Sequence, residues 1–128
     1  MLKEFTEKDA LKEIVQGYIE AALSTEMQKS KISDLASDSQ IDIFLYCKNF
    51  FDKNRKLADD YITYEGTSWK NFGKNLYLSI NFEGSGFIEF YGKMSEILID
   101  DLYIVCKREK RTKLRKKNDK IIWEITDE

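Results

Sequence analysis

The stretch Leu76-Tyr77-Leu78-Ser79-Ile80-Asn81-Phe82-Glu83-Gly84-Ser85-Gly86-Phe87-Ile88-Glu89-Phe90-Tyr91 decides the fold. Leu76, Leu78 and Ile80 alternate with Tyr77, Ser79 and Asn81, the period of two that marks a half-buried strand. Glu83-Gly84-Ser85-Gly86 offers the glycines that a tight connection with positive φ requires. Residues 87–91 then read as the returning strand, ended by Gly92. The expectation is a β-hairpin at the centre of the chain.

Upstream the period is helical. Leu11, Ile14, Val15, Tyr18, Ile19, Ala22 and Leu23 recur at three- and four-residue spacing, so a helix is expected over 8–23. Thr6 is its N-cap, and Glu7 and Asp9 lie at the positive end of its dipole. Gly17 lowers its propensity by about 1 kcal/mol, which points to a neighbour approaching closely there. Residues 24–33 are polar and read as a loop. A second, longer helix is expected over 39–62, capped by Ser37 or Asp38. Ile41, Phe44, Leu45, Cys47, Phe51, Ala58 and Tyr61 mark its inner face. Residues 65–74 read as a connection that folds Trp69 and Phe72 onto the core.

Downstream, Met94, Ile97, Leu98, Leu102, Val105 and Cys106 return to helical spacing over 93–107. Ile99 and Ile104 fall off that stripe and leave a strand over 97–106 open. Residues 113–116, the pair Asn118-Asp119, and 121–125 then suggest a second hairpin. The expected fold class is α+β in the order α-α-β-β-α-β-β. It has about four antiparallel strands, with two or three helices on one face.

Composition narrows the chemistry. The chain has 128 residues, 42% hydrophobic and 34% charged, enough for one ordered domain over 1–128. It has no histidine, which excludes Ser-His-Asp and Cys-His machinery, histidine bases and the usual zinc cages. Cys47 and Cys106 lie in apolar stretches and read as reduced, buried thiols, one disulfide being the alternative. The N-terminal residues mix both charges without an apolar run, and no segment has the ~18–20 apolar residues that span a bilayer, so a cytoplasmic protein is expected. No cofactor is expected.

Net charge is −2, but unevenly spread. Residues 107–120 hold nine basic and two acidic side chains, a balance of +7; the remainder holds 12 basic and 21 acidic, a balance of −9. An acidic body thus carries one basic pole.

Several segments resemble a family of small, mostly uncharacterised bacteriophage and prophage proteins. Residues 15–26, VQGYIEAALSTE, are similar to its "GYLE-A-LWS-T-D" opening. Residues 35–61, with Cys47, Phe50 or Phe51, Asn54 and Leu57, follow its "A…DC…F…N…L" helix. Residues 72–87, FGKNLYLSINFEGSGF, resemble its "AGHDFWLTRNGHGAGFWD", and 118–123, NDKIIW, its closing "DDGKIY". The resemblance would cover most of 14–126, agrees with a helix near 93–107, and implies an accessory phage protein acting inside a bacterial host. The family's two histidines are absent, Asn75 and Glu83 standing at about those places. Its Trp-Asp becomes Ile88-Glu89. No catalytic role carries over.

Four candidate sites follow. The first is the basic pole: Lys107, Arg108, Lys110, Arg111, Lys113, Arg115 and Lys117. On a strand, Lys113, Arg115 and Lys117 share a face at ~6.5–7 Å intervals, roughly the phosphate spacing of a nucleic-acid strand. The same face fits an acidic protein partner. It also fits a plain solvated surface, with Arg115 paired across the hairpin to Glu124. The second is the turn Asn81, Glu83, Gly84, Ser85 and Gly86, a recognition loop or simply a structural turn. The third is the carboxylate set Asp34, Asp38, Asp42, Asp59, Asp60, Asp100 and Asp101, read as solvated helix faces. The fourth is the aromatic group Tyr61, Tyr64, Trp69, Phe72 and Tyr77, a stacking platform or, more simply, core. The leading expectation is a non-catalytic phage accessory protein that binds and inhibits a host protein or nucleoprotein complex, of the anti-CRISPR or anti-restriction kind. The alternative is a nucleic-acid-binding protein using 107–117. No membrane partner is expected, and oligomeric state stays open.

Overall fold

Thr6 closes both halves of a capping box: its hydroxyl accepts the Asp9 amide at 3.2 Å, and Asp9 accepts the Thr6 amide at 3.0 Å. From that cap runs α1, Glu7–Glu26, the first of five helices in a computed structural model that describes residues 6–126. There follow α2 (Ser37–Lys53), α3 (Arg55–Ile62), α4 (Trp69–Asn81), α5 (Glu96–Lys107) and an antiparallel pair, β1 (Thr112–Lys117) and β2 (Lys120–Ile125). Short 3-10 turns occupy Ile32–Asp34 and Gly86–Phe90.

The expected α+β class with about four strands is corrected by this architecture. The protein is mostly helical, and the described residues form one two-stranded sheet. The segment 76–80 is no strand. It lies in α4, which starts where the Ser68 hydroxyl accepts the Asn71 amide at 3.1 Å. Phe72, Gly73, Leu76, Tyr77 and Ile80 are its buried face, at three- and four-residue spacing. The residues read as a connection before it, Trp69 to Lys74, are its first turns, although Phe72 is fully buried as expected. Gly84 (φ +72°) and Gly86 (φ +77°) do turn the chain, but into the 3-10 turn rather than a returning strand.

Two glycines explain why α4 occupies the centre. A Cβ on Gly17 would lie 1.9 Å from the Lys70 carbonyl oxygen, and one on Gly73 would lie 1.9 Å from that of Ile14. α1 and α4 therefore cross backbone against backbone, and the approach expected at Gly17 is made by α4. Around this seam Tyr18, Tyr77, Phe72, Phe87, Tyr61 and Phe50 are sealed from solvent. Their rings meet edge-on or tilted, Tyr18–Tyr77 at 5.3 Å and Tyr61–Phe87 at 5.4 Å.

The single helix expected over 39–62 is two. The break falls at Asn54 (φ −123°, ψ 33°), whose side-chain amide donates to the Phe50 carbonyl at 3.0 Å. Ser37 and Asp38 lie inside the first turn of α2, and the cap position, Ala36, supplies no side-chain acceptor. The inner face of α2 is Ile43, Cys47, Phe50 and Phe51; Ile41 (57% exposed), Phe44 and Leu45 (55%) point outward, against expectation. In α5 the helical reading of 93–107 stands, but Ile99 is buried and Ile97 exposed, reversing their expected sides.

The second hairpin forms where expected. Asn118 takes the left-handed conformation (φ +57°) in the two-residue turn, and Leu114 pairs with Trp123. Both edges are capped by the helical layer. The Leu114 amide donates to Glu26 at 2.9 Å and the Thr112 amide to the Asn81 side chain at 2.8 Å. Across the sheet, Trp123 donates its amide to Ser39 at 3.0 Å, and Ile121 accepts the Ala36 amide at 2.9 Å. Cys47 and Cys106 are buried and unbridged.

Candidate docking surface

Side chains alternate across a strand, and Leu114, Ile121 and Trp123 are buried against the helices. The other face therefore carries Lys113, Arg115 and Lys117 from β1, with Lys120, Ile122 and Glu124 from β2. Four cations face outward around one carboxylate. Glu124 accepts from Arg115 Nε at 3.1 Å and lies 3.6 Å from Lys113 Nζ. The Arg115 hydrogen bond holds the Glu124 carboxyl below the usual carboxylate range. The pairing of Arg115 with Glu124 expected for a solvated face is thus present, yet it leaves Lys117 and Lys120 without an ion pair among the described residues.

The rest of the basic run divides. Lys107 ends α5 and Arg111 precedes β1; they converge on Glu83, at 3.5 and 3.6 Å. Lys107 also lies 4.9 Å over the Tyr103 ring and donates to the Phe82 carbonyl at 3.2 Å. Arg108 and Lys110 are exposed in the turn between α5 and β1, without an ion pair among the described residues. Tyr46 donates to the Lys110 carbonyl at 2.8 Å and fixes that turn.

The first two candidate sites therefore meet at Glu83. The turn 81–86 is internally tied. Asn81 bonds Thr112, Tyr103 donates to Glu83 at 3.3 Å, and the Gly84 amide donates to the Tyr103 hydroxyl at 3.1 Å. The Gly86 amide donates to Glu89 at 2.9 Å, and the Ser85 carbonyl faces the Ser79 hydroxyl at 3.4 Å. These bonds tie the segment to α4, α5 and β1, while the Glu83 side chain stays 76% exposed.

The carboxylates do not converge. Asp59 and Asp60 pair with Arg55 and Lys56, each at 3.2 Å, and Asp34 accepts the Lys31 amide at 2.8 Å. Among the described residues no three histidine, cysteine, aspartate or glutamate side chains are grouped to hold a metal ion. Of the aromatic group, Tyr61, Phe72 and Tyr77 are core, and Trp69 packs edge-on to Phe51 at 5.6 Å. Tyr64 accepts the Ser95 amide at 3.2 Å. Burial pushes the Cys47 and Cys106 thiols and the Tyr18 hydroxyl well up from their ordinary values. A concavity of about 830 Å³ is an open groove between α1 and α4 with Lys31, Lys70 and Lys74 exposed along it. Among the described residues no helix is long and apolar enough to cross a membrane.

Lys120 is the member of the surface that sequence reasoning left out. A two-residue turn at Asn118-Asp119 pairs Lys117 with Lys120 on one face, so the signal was present. Fold and surface together define a small helical domain bearing an outward cationic hairpin. Comparisons with family models, curated proteins and solved structures return no match.

Proposed function

We propose that this chain is a non-catalytic binding protein that docks through the outer face of its hairpin. Lys113, Arg115, Lys117 and Lys120 against a lone Glu124 are the observation that carries the reading. Clamped along both edges, the hairpin presents those cations on a rigid support, so little ordering entropy opposes docking. Opposite charge on the body and the pole orients the encounter. The occupant is a polyanionic surface of a host macromolecule, which docking blocks. With the phage resemblance as context, the concrete form is an accessory protein that inhibits a bacterial immune or nuclease complex in the cytoplasm, as anti-CRISPR and anti-restriction proteins do.

A second reading, direct nucleic-acid binding, is favoured by the ~6.5–7 Å spacing of alternate strand residues, which matches successive phosphates. Salt separates the two. A labelled oligonucleotide held by three or four phosphate contacts should lose about three log units of affinity per log unit of salt. Changing Lys113, Arg115 and Lys117 to Glu should abolish its retention. No retention of DNA or RNA at low salt sinks the second reading. The first fails if wild-type protein recovers no stoichiometric macromolecule from host extract.

A further inference from the structure

Gly17, Glu20, Ala21 and Ser24 fall at i, i+3, i+4 and i+7 and so share one face of α1. α4 sets Lys70, Asn71 and Lys74 beside that face, and the segment after α1 adds Gln28 and residues 30–32. Between them lies the groove of about 830 Å³. Small-molecule sites occupy about 300–1,000 Å³.

The groove inverts the charge of the body around it. Outside residues 107–120 the chain holds 12 basic and 21 acidic side chains. The groove lining has three basic, Lys31, Lys70 and Lys74, against Glu20 alone, a balance of +2. Glu20 pairs with Lys70 at 3.0 Å, while Lys31 and Lys74 are exposed without an ion pair among the described residues. Lys70 and Lys74 stand one turn apart, a rise of ~6 Å, and Lys31 comes from a different element. The side chains of Ser24, Gln28 and Asn71 line the same space and make no hydrogen bond among the described residues. Next to these polar groups Ala21 and Leu23 are buried and Ile32 is 37% exposed, so an apolar floor adjoins the cations. Lysines serve phosphate as point charges, and neutral donors fill its remaining acceptor oxygens. The floor has no use for a bare anion and suits an organic body attached to one.

We propose that the groove between α1 and α4 binds a small phosphorylated organic molecule of the nucleoside di- or triphosphate class. Its phosphates meet Lys31, Lys70 and Lys74, and its body lies on Ala21, Leu23 and Ile32. The site is separate from the hairpin's outer face, since Lys113, Arg115 and Lys117 do not line it.

Calorimetric titration of the full chain with ATP, GTP, CTP and UTP, without divalent cations, should show binding of at least one at a Kd of about 10–500 μM. The matching nucleoside should give no signal, and tripolyphosphate, which lacks a body, should bind about tenfold more weakly. Lys31→Glu combined with Lys74→Glu, both at exposed positions, should weaken binding about tenfold or more with an unchanged circular dichroism spectrum. Ser24→Trp fills the groove without altering its charge and should weaken binding to a similar degree. Changing Lys113, Arg115 and Lys117 to Glu should leave the Kd within about twofold. No binding of any of the four nucleotides up to about 5 mM overturns the proposal. So does tripolyphosphate binding as tightly as the nucleotides, binding abolished by the hairpin substitutions, or binding indifferent to both groove variants.

Discussion

Gly73→Ala tests the seam that holds the fold. The added methyl would sit 1.9 Å from the Ile14 carbonyl oxygen, where 3.0 Å is the closest approach real side chains make. The obstacle is helical backbone on both sides, so no rotamer change relieves it, and α1 and α4 must part by about 1 Å. A gap of that size forfeits a quarter to a half of each dispersion contact along the seam, which includes Ile14, Tyr18, Phe72, Leu76 and Tyr77. Overpacking of well-packed sites costs about 1–3 kcal/mol, and more where nothing yields. Replacing a helical glycine by alanine returns about 1 kcal/mol of propensity. Taking the upper end of that range, the net expectation is a loss of about 2 kcal/mol, which for a slope of about 2 kcal/mol/M lowers the urea midpoint by about 1 M. Urea unfolding followed by circular dichroism and by Trp69 and Trp123 fluorescence reads it. Gly66→Ala is the control: with φ +84° and nothing within 4 Å, it costs only backbone strain, about 1–2 kcal/mol. A Gly73→Ala protein as stable as wild type, or more so, would refute the close crossing.

Other outcomes follow from the same contacts. Tyr18→Phe removes a buried hydroxyl that bonds Thr112 at 2.6 Å and receives the Trp123 indole N–H at 3.3 Å, so it should cost about 1–3 kcal/mol and alter Trp123 emission. Cys47 and Cys106, buried and with raised pKa, should resist thiol reagents at about pH 8 in native protein and react at the rate of unfolding. Glu124→Gln removes the carboxylate among the hairpin cations and should tighten binding of a polyanion about two- to fivefold at low salt, measured by anisotropy. The pH sign agrees. The depressed Glu124 carboxyl keeps its pairing above the ordinary carboxylate range and loses it as pH falls through the lowered value. The stabilisation it gives the hairpin is lost over that window, while the face becomes more cationic.

What the sequence disclosed depended on how unique each local pattern was. Thr6 followed by Asp9, with one clean apolar stripe behind them, left α1 no rival reading. Asn118-Asp119 between β-prone runs likewise defined the hairpin, and with it the cationic face. The centre failed because two periods coexist there. Leu76, Leu78 and Ile80 alternate, but Trp69, Phe72, Gly73, Leu76, Tyr77 and Ile80 also fall at helical spacing. α4 touches α1, α3 and α5 and so is buried over a wide arc, which blurs amphipathicity. Gly73, read as part of a connection, is a contact residue, a role visible only once its partner Ile14 is in place. In α2 the unbroken run Ile43-Phe44-Leu45-Tyr46-Cys47 offers apolar side chains to every side, so spacing alone could not choose the buried face. The break at Asn54, without glycine or proline, completed that ambiguity.

Capture from a bacterial host extract tests the docking claim most directly. Wild-type protein and the Lys113→Glu, Arg115→Glu, Lys117→Glu variant would be compared with and without nuclease, the retained material identified by mass spectrometry and sequencing. Wild type should hold a stoichiometric macromolecule that the variant releases, nuclease deciding whether protein or nucleic acid meets the hairpin. Recovery of the same material by both proteins, or of none by wild type, would contradict the assignment of docking to this face.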